Sequence, residues 1–254
     1  LDQAVHNARN PEQRLMAHFD RALLIGEWKG LGSLSELALS ATGCELALWS
    51  YLTGAAFGQA ELLSDAYSRK TACDPLLPRA WRHYLHAKLW LGQSEYSVRI
   101  MANLGSIVRQ AVLDVYYVKS LWLNGNQELA RQTANSRLNS EQDRLRAQIF
   151  LALVQGDPAS ASSLQEIFFQ STGPDDLLSL VVSAQAGRRN EANRLAGLVD
   201  RRPFGYITLM QAVYNCTCGA PFDLDATPVF ARMIAESGLP WPPLKPIDFP
   251  LKDW

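Results

Sequence analysis

The chain has 254 residues, 48% of them hydrophobic and 19% charged, a composition that suits a globular protein with a substantial core and excludes a disordered or fibrous one. Its formal net charge of −1 means that long-range attraction selects neither nucleic acid nor an anionic membrane surface as a partner. Apolar runs such as Leu121-Trp122-Leu123 fall far short of the ~18 residues that a membrane-spanning helix needs, so no membrane insertion is expected.

No basic, apolar and small-residue leader follows Leu1, the pattern expected of a mature or excised chain. Residues 11–25 read as one helix and residues 33–41 as another, together an N-terminal cap over residues 1–43. A glycine then recurs behind helix-like apolar runs, at Gly26, Gly58, Gly92, Gly125, Gly156 and Gly187, with successive spacings of 32, 34, 33, 31 and 31 residues. Glycine ends helices readily because it takes the left-handed conformation without a Cβ clash. A small residue follows five positions later at Ser97, Ala130, Ala161 and Ala192, where a second helix must approach the first closely; Leu63 departs from this pattern.

Between the marks, Trp81, Tyr84, Leu85, Ala87 and Leu89 form one apolar stripe at helical spacing, and Leu145, Ile149, Ala152 and Leu153 form another. There is little sustained period-2 alternation and no Asn-Gly or Asp-Gly hairpin between alternating runs, so strands are not expected. The pattern predicts an all-α chain of helix pairs over residues 44–202 and a further helix within 203–218. Such pairs cannot bury an apolar face alone, and stacking gives them one continuous core and a curved surface.

Residues 219–254 differ in character. Gly219-Ala220-Pro221 breaks the helix, residues 225–237 read as one amphipathic helix with Pro228 in its first turn, and Gly238 ends it. The segment from Leu239 to Trp254 is rich in proline and carries Trp241, Ile247, Phe249 and Trp254, so it is expected to run extended. Two roles suit so apolar a tail: sealing the last helix pair, or docking in an aromatic-lined groove of a partner.

Cys73-Asp74-Pro75, Pro78-Arg79-Ala80-Trp81 and Leu91-Gly92 resemble the tetratricopeptide-repeat pattern, in which Asp-Pro closes one repeat, an aromatic opens the next and glycine divides the two helices. The resemblance is closest over residues 74–92, and later repeats lack the Asp-Pro closure. It implies a right-handed α–α superhelix of helical hairpins whose concave face, lined by the first helix of each pair, holds a protein or an extended peptide. The positions matching that face are Arg79, Arg82, His86 and Leu89; then Val112, Val115, Lys119 and Trp122; then Arg146 and Phe150. Cations among aromatics suit a peptide bearing carboxylates; the opposing reading has the arginines solvated and Trp122 in the core. The tail also resembles, more distantly, the ends of repeat-containing regions in bacterial winged-helix transcription regulators. That resemblance implies a sensory region, cytoplasmic or periplasmic, with no DNA contact of its own.

Four cysteines suit either two disulfides or four thiols. Antiparallel helices would bring Cys44 and Cys73 to one edge of their hairpin, where a disulfide closing a loop of about 30 residues would stabilise by roughly 3 kcal/mol; two unlinked thiols suit the spacing equally. Cys216-Thr217-Cys218 reads as too closely spaced for an easy mutual disulfide, and no second pair sits at zinc-finger spacing. His83 and His86, three apart on one helix, lack an evident third metal ligand and are expected to be exposed or to line the groove. With no metalloprotease, phosphate-loop or nucleophile-elbow motif, the reading is a non-catalytic module without cofactor or bound metal. The competing reading, an enzyme on a helical array, requires a deep pocket with clustered, perturbed acids or histidines.

Overall fold

The structure is a computed structural model that describes residues 2–9, 11–29, 60–216, 218–239 and 241–242. Among these the chain is entirely helix and turn, with no strand. In chain order the helices are α1 (Asp2–Asn7), α2 (Pro11–Ile25), α3 (Ala60–Cys73), α4 (Pro78–Trp90), α5 (Ser94–Asn103), α6 (Ser106–Ala111) and α7 (Val115–Leu123). There follow α8 (Gln127–Ser136), α9 (Glu141–Val154), α10 (Pro158–Thr172), α11 (Asp176–Gln185), α12 (Arg189–Asp200), α13 (Gly205–Cys216), a 3-10 turn at Leu224–Ala226, and α14 (Pro228–Ser237). The expected helix at 33–41, the pair divided at Gly58, and Cys44 lie outside the described residues.

The repeating glycines divide helix from helix by one recurring device. Gly92, Gly125, Gly156 and Gly187 all have φ between 71° and 78°, and at each the next residue's N–H reaches back to the carbonyl five positions earlier. Gln93 N–H donates to Lys88 (2.8 Å), Asn126 to Leu121, Asp157 to Ala152 and Arg188 to Ser183 (each 2.9 Å). This pair of turn bonds satisfies carbonyls that the helix end leaves free, and only a left-handed residue closes it without strain. At the other ends, carboxylates and a hydroxyl cap the next helices: Asp114 on α7, Ser140 on α9, Asp157 on α10 and Asp175 on α11. The small residues expected at the close approach, Ser97, Ala130, Ala161 and Ala192, are all buried.

Helices α4, α7, α9, α11 and α13 form a row in which each touches the next. Behind them α5, α8, α10 and α12 each wedge between their own partner and the following helix of the row. Leu85, Met101, Val118, Leu121, Trp122 and Phe150 fill the core of the first part of this array.

The array does not stay open. Trp90 of α4 stacks on Tyr214 of α13, centroids 4.3 Å apart and planes within 20°, and Trp28, just beyond α2, meets Tyr206 of α13 edge-on at 5.6 Å. One core therefore joins Leu63, Tyr67 and Tyr84 from the early helices to Leu180, Tyr206, Tyr214 and Phe230 from the late ones. At this seam large aromatics leave water together, a stronger contribution than any single turn or cap.

The C-terminal part differs from expectation in two places. The helix expected over 225–237 is split: a 3-10 turn ends at Ala226 and α14 begins at Pro228, because Pro228 has no N–H with which to continue a helix begun earlier. Asp200, at the end of α12, caps α14 from outside by accepting the N–H groups of Val229 (2.9 Å) and Phe230 (2.8 Å). Trp241 folds back on Phe222 and Phe230, at 5.8 and 5.3 Å, as the sealing role of the tail requires at that residue; 243–254 lie outside the described residues.

The reading that Cys216 and Cys218 are too closely spaced for an easy disulfide is corrected: they form one with Cα atoms 5.0 Å apart, inside the range a disulfide spans. Cys216 is the last residue of α13, and the chain leaves the helix immediately, with Gly219 at φ 81°, so the two side chains turn toward each other. Cys73 is also disulfide-bonded, and its expected partner Cys44 falls outside the described residues.

Candidate functional site

Curvature and closure together form a concave pocket, a cavity of about 230 Å³ to which five helices contribute. Helix α4 supplies His83, His86 and Trp90; α7 supplies Val115, Tyr116 and Lys119; α9 supplies Asp143, Arg146, Ile149 and Phe150. Helix α11 adds Val181 and Gln185, and α13 adds Gln211 and Asn215. The spacing explains the selection: Val115 and Lys119 lie one turn apart, as do Arg146 and Phe150, and His83, His86 and Trp90 follow one another at helical intervals.

Lys119 is the most unusual member. It is the one charged residue of the largely apolar helix α7 and is only 5% exposed. Its Nζ donates to the backbone oxygen of Asn215 at 2.7 Å and lies 5.6 Å and 5.4 Å from the ring centroids of Tyr116 and Phe150. Burial pushes its pKa down to about 8, with Arg146 adding to the decrease and Asp114 opposing it. Beside it the Tyr116 hydroxyl donates to Asn215 Oδ1 at 2.5 Å, and Gln185 donates to the Cys216 carbonyl at 2.8 Å. Two of α13's last carbonyls are thus taken up by side chains of α7 and α11.

The histidines are held differently. His86 Nε2 lies 2.8 Å from Asp114 Oδ2, and its ring lies against Tyr116, centroids 3.7 Å apart. His83 packs against Tyr67 at 5.0 Å, and burial, reinforced by His86, Arg79 and Arg82, drives its pKa down to about 3. A neutral imidazole there is the consequence. Among the described residues no three metal-ligating side chains gather at one point.

Of the positions assigned to the concave face, His86, Val115, Lys119, Arg146 and Phe150 line this pocket. The others do not. Arg79 is exposed with its Nε 3.4 Å from His83 Nε2, and Arg82 donates to the Ala111 carbonyl at 2.8 Å while lying 3.6 Å from Asp114. Leu89 and Val112 are buried, and Trp122 is a core residue with the Arg131 guanidinium 5.3 Å above its ring. Arg146 spans both settings, pairing with Asp175 at 3.3 Å and lying 5.0 Å over Phe168.

Trp90, Tyr116, Gln185, Gln211 and Asn215 were not selected from sequence. Gln185 carried a faint signal, a polar side chain ending the apolar helix Asp176–Gln185. Gln211 and Asn215 carried none, because α13 reaches the pocket only through closure of the array.

Comparison with protein-family models, curated proteins and solved structures finds no match for this chain.

Proposed function

We propose that the chain is a non-catalytic binding module of tetratricopeptide-like construction, a right-handed superhelix of helical hairpins, which holds a protein or peptide through its concave pocket. The observation that carries this reading is the convergence of five helices on one recess. There an ammonium, a guanidinium and the amides of Gln185, Gln211 and Asn215 stand over Trp90 and Phe150. Polar groups fixed on rigid helices above an apolar floor suit recognition of one compact group. The partner therefore inserts an end or a side chain and does not lie along a groove from Arg79 to Trp122. His86 and Asp114 suit a structural role, since Asp114 is already committed to the start of α7.

The test fills the recess without disturbing the fold. Gln211 lines the pocket and is partly exposed, so Gln211→Trp should abolish partner capture from native lysate while helical content and melting temperature stay unchanged. Undiminished capture by the folded variant would reject the pocket as the binding site.

A second reading is favoured by the cysteines. A Cys216–Cys218 disulfide and a bonded Cys73 suit an oxidising compartment, and a cavity of about 230 Å³ suits a small ligand, as in the periplasmic sensory region of a bacterial transcription regulator. Mass measurement of protein alkylated in the native cell, before and after reduction, separates the two: free thiols throughout would remove the periplasmic reading.

A further inference from the structure

A buried ammonium normally stands opposite a carboxylate, because an unpaired charge in a protein interior is strongly unfavourable. Lys119 does not. Its one hydrogen bond among the described residues, to the Asn215 backbone oxygen, leaves two of its three N–H donors without an acceptor. The neighbouring carboxylates are engaged elsewhere: Asp114 by His86 and Arg82, Asp143 by the Ser140 hydroxyl at 2.8 Å, and Asp175 by Arg146. Lys119 nevertheless lines the cavity, between the rings of Tyr116 and Phe150.

We propose that the pocket takes a carboxylate with a flat apolar body, and that this carboxylate is the counter-ion which the Lys119 ammonium lacks. The proposal rests on the reading of the pocket as a binding site. The unused donors of Lys119 and the Gln211 amide are placed for the acid group, Asn215 being held by Tyr116 and the Gln211 carbonyl, and the rings of Trp90 and Phe150 for the body. A free small acid and the C-terminal end of a chain present the same chemistry.

The titratable and charged groups around Lys119 are His83 and His86 from α4, Asp114 ahead of α7, Tyr116 on α7 itself, Asp143 and Arg146 from α9, and Asp175 ahead of α11. An anion added to this set favours the protonated amine, so binding takes up a proton near and above pH 8.

The experiment titrates the Lys119 Cε resonance by NMR in the full chain with phenylacetate, and with a tripeptide ending in phenylalanine, each beside its amide. The acids should raise the titration midpoint toward the ordinary lysine value and bind at least about tenfold more tightly than the amides. Affinity should fall by up to about tenfold per pH unit between the free-protein midpoint and the raised midpoint of the complex. Lys119→Met, close to lysine in volume and free of the buried charge, should fold normally and lose the preference for acid over amide. Lys119→Arg should bind acid without that pH dependence, because its guanidinium stays charged. Response to phenylacetate alone assigns a free acid, and response to the tripeptide alone assigns a chain end; either supports the carboxylate. Equal binding of acid and amide, no response to either acid, or an unchanged preference in Lys119→Met overturns it. If phenylacetate titrates Lys119 while wild-type protein captures no partner, the macromolecular reading fails and the carboxylate site stands.

Discussion

His86 Nε2 and Asp114 Oδ2 lie 2.8 Å apart, joining α4 to the start of α7 through a carboxylate whose other oxygen accepts the N–H groups of Tyr116 (3.0 Å) and Tyr117 (3.3 Å). One side chain thus caps a helix and ties it to the preceding pair. Arg82 closes the same junction from outside through Asp114 and the Ala111 carbonyl. Reversing the charge of Arg82, which would look like a groove mutation from sequence, would instead loosen this joint.

Replacing Asp114 tests the joint. Asp114→Ala removes the cap and strands His86, a combined loss of about 3 kcal/mol in urea unfolding. Asp114→Asn keeps an oxygen for the cap and should lose roughly 1 kcal/mol. If the two variants are equally unstable, the stabilisation lies in the charge and not in the cap.

Stability should depend on acid pH through His83. Its folded pKa, about 3, lies below the ordinary histidine value of 6.5, so between these values the unfolded chain binds more protons than the folded one. The folded state is therefore favoured above about pH 6.5 and loses that advantage as pH falls toward 3. His83→Phe, which keeps a ring against Tyr67, should flatten the midpoint-against-pH curve over this window. An unchanged slope would assign the acid sensitivity to other groups.

The seam can be opened from one side. Trp90→Ala removes the ring stacked on Tyr214 and should lower stability by about 3–5 kcal/mol. Small-angle scattering of the folded fraction should show a larger radius of gyration. An unchanged radius would mean that Trp28 and Tyr206 hold the closure by themselves.

Two glycines should respond unequally to alanine. A Cβ at Gly205 would lie 2.0 Å from the backbone oxygen of Val199, so Gly205→Ala must push α13 away from α12 and should prevent folding or severely reduce it. At Gly92 a Cβ meets nothing within 4 Å, and only the positive φ of 72° resists it. Gly92→Ala should therefore lose only about 1–2 kcal/mol in thermal unfolding.

What could be read from the sequence divides along the range of the interactions involved. The turns were legible because their chemistry is local: a left-handed residue at Gly92, Gly125, Gly156 and Gly187 is needed whatever the rest of the chain does. Helix α2 appears at Pro11–Ile25, as periodicity predicts, and α4 at Pro78–Trp90. The pocket was half legible. Lys119, His86, Arg146 and Phe150 could be found by carrying a family's concave positions forward, whereas Arg79, Arg82, Leu89 and Trp122 came with them although packing sends them elsewhere. Asn215 was invisible, because no local pattern reports a contact between residues 99 apart. The Cys216–Cys218 bridge was not legible because close spacing alone does not report where a helix ends, and α13 ends at Cys216.

The stacking of Trp90 on Tyr214 also governs how the molecule can come apart. In an open helical array each pair answers only to its neighbours, so ends fray independently and stability adds along the chain. A seam between α4 and α13 removes that freedom: unzipping from the C-terminus exposes apolar surface near the beginning. The protein should then melt as one cooperative unit, and a nascent chain halted before α13 should leave Trp90 uncovered and attract chaperones. Its folding rate would follow this distant contact and not the quick local closure of its hairpins.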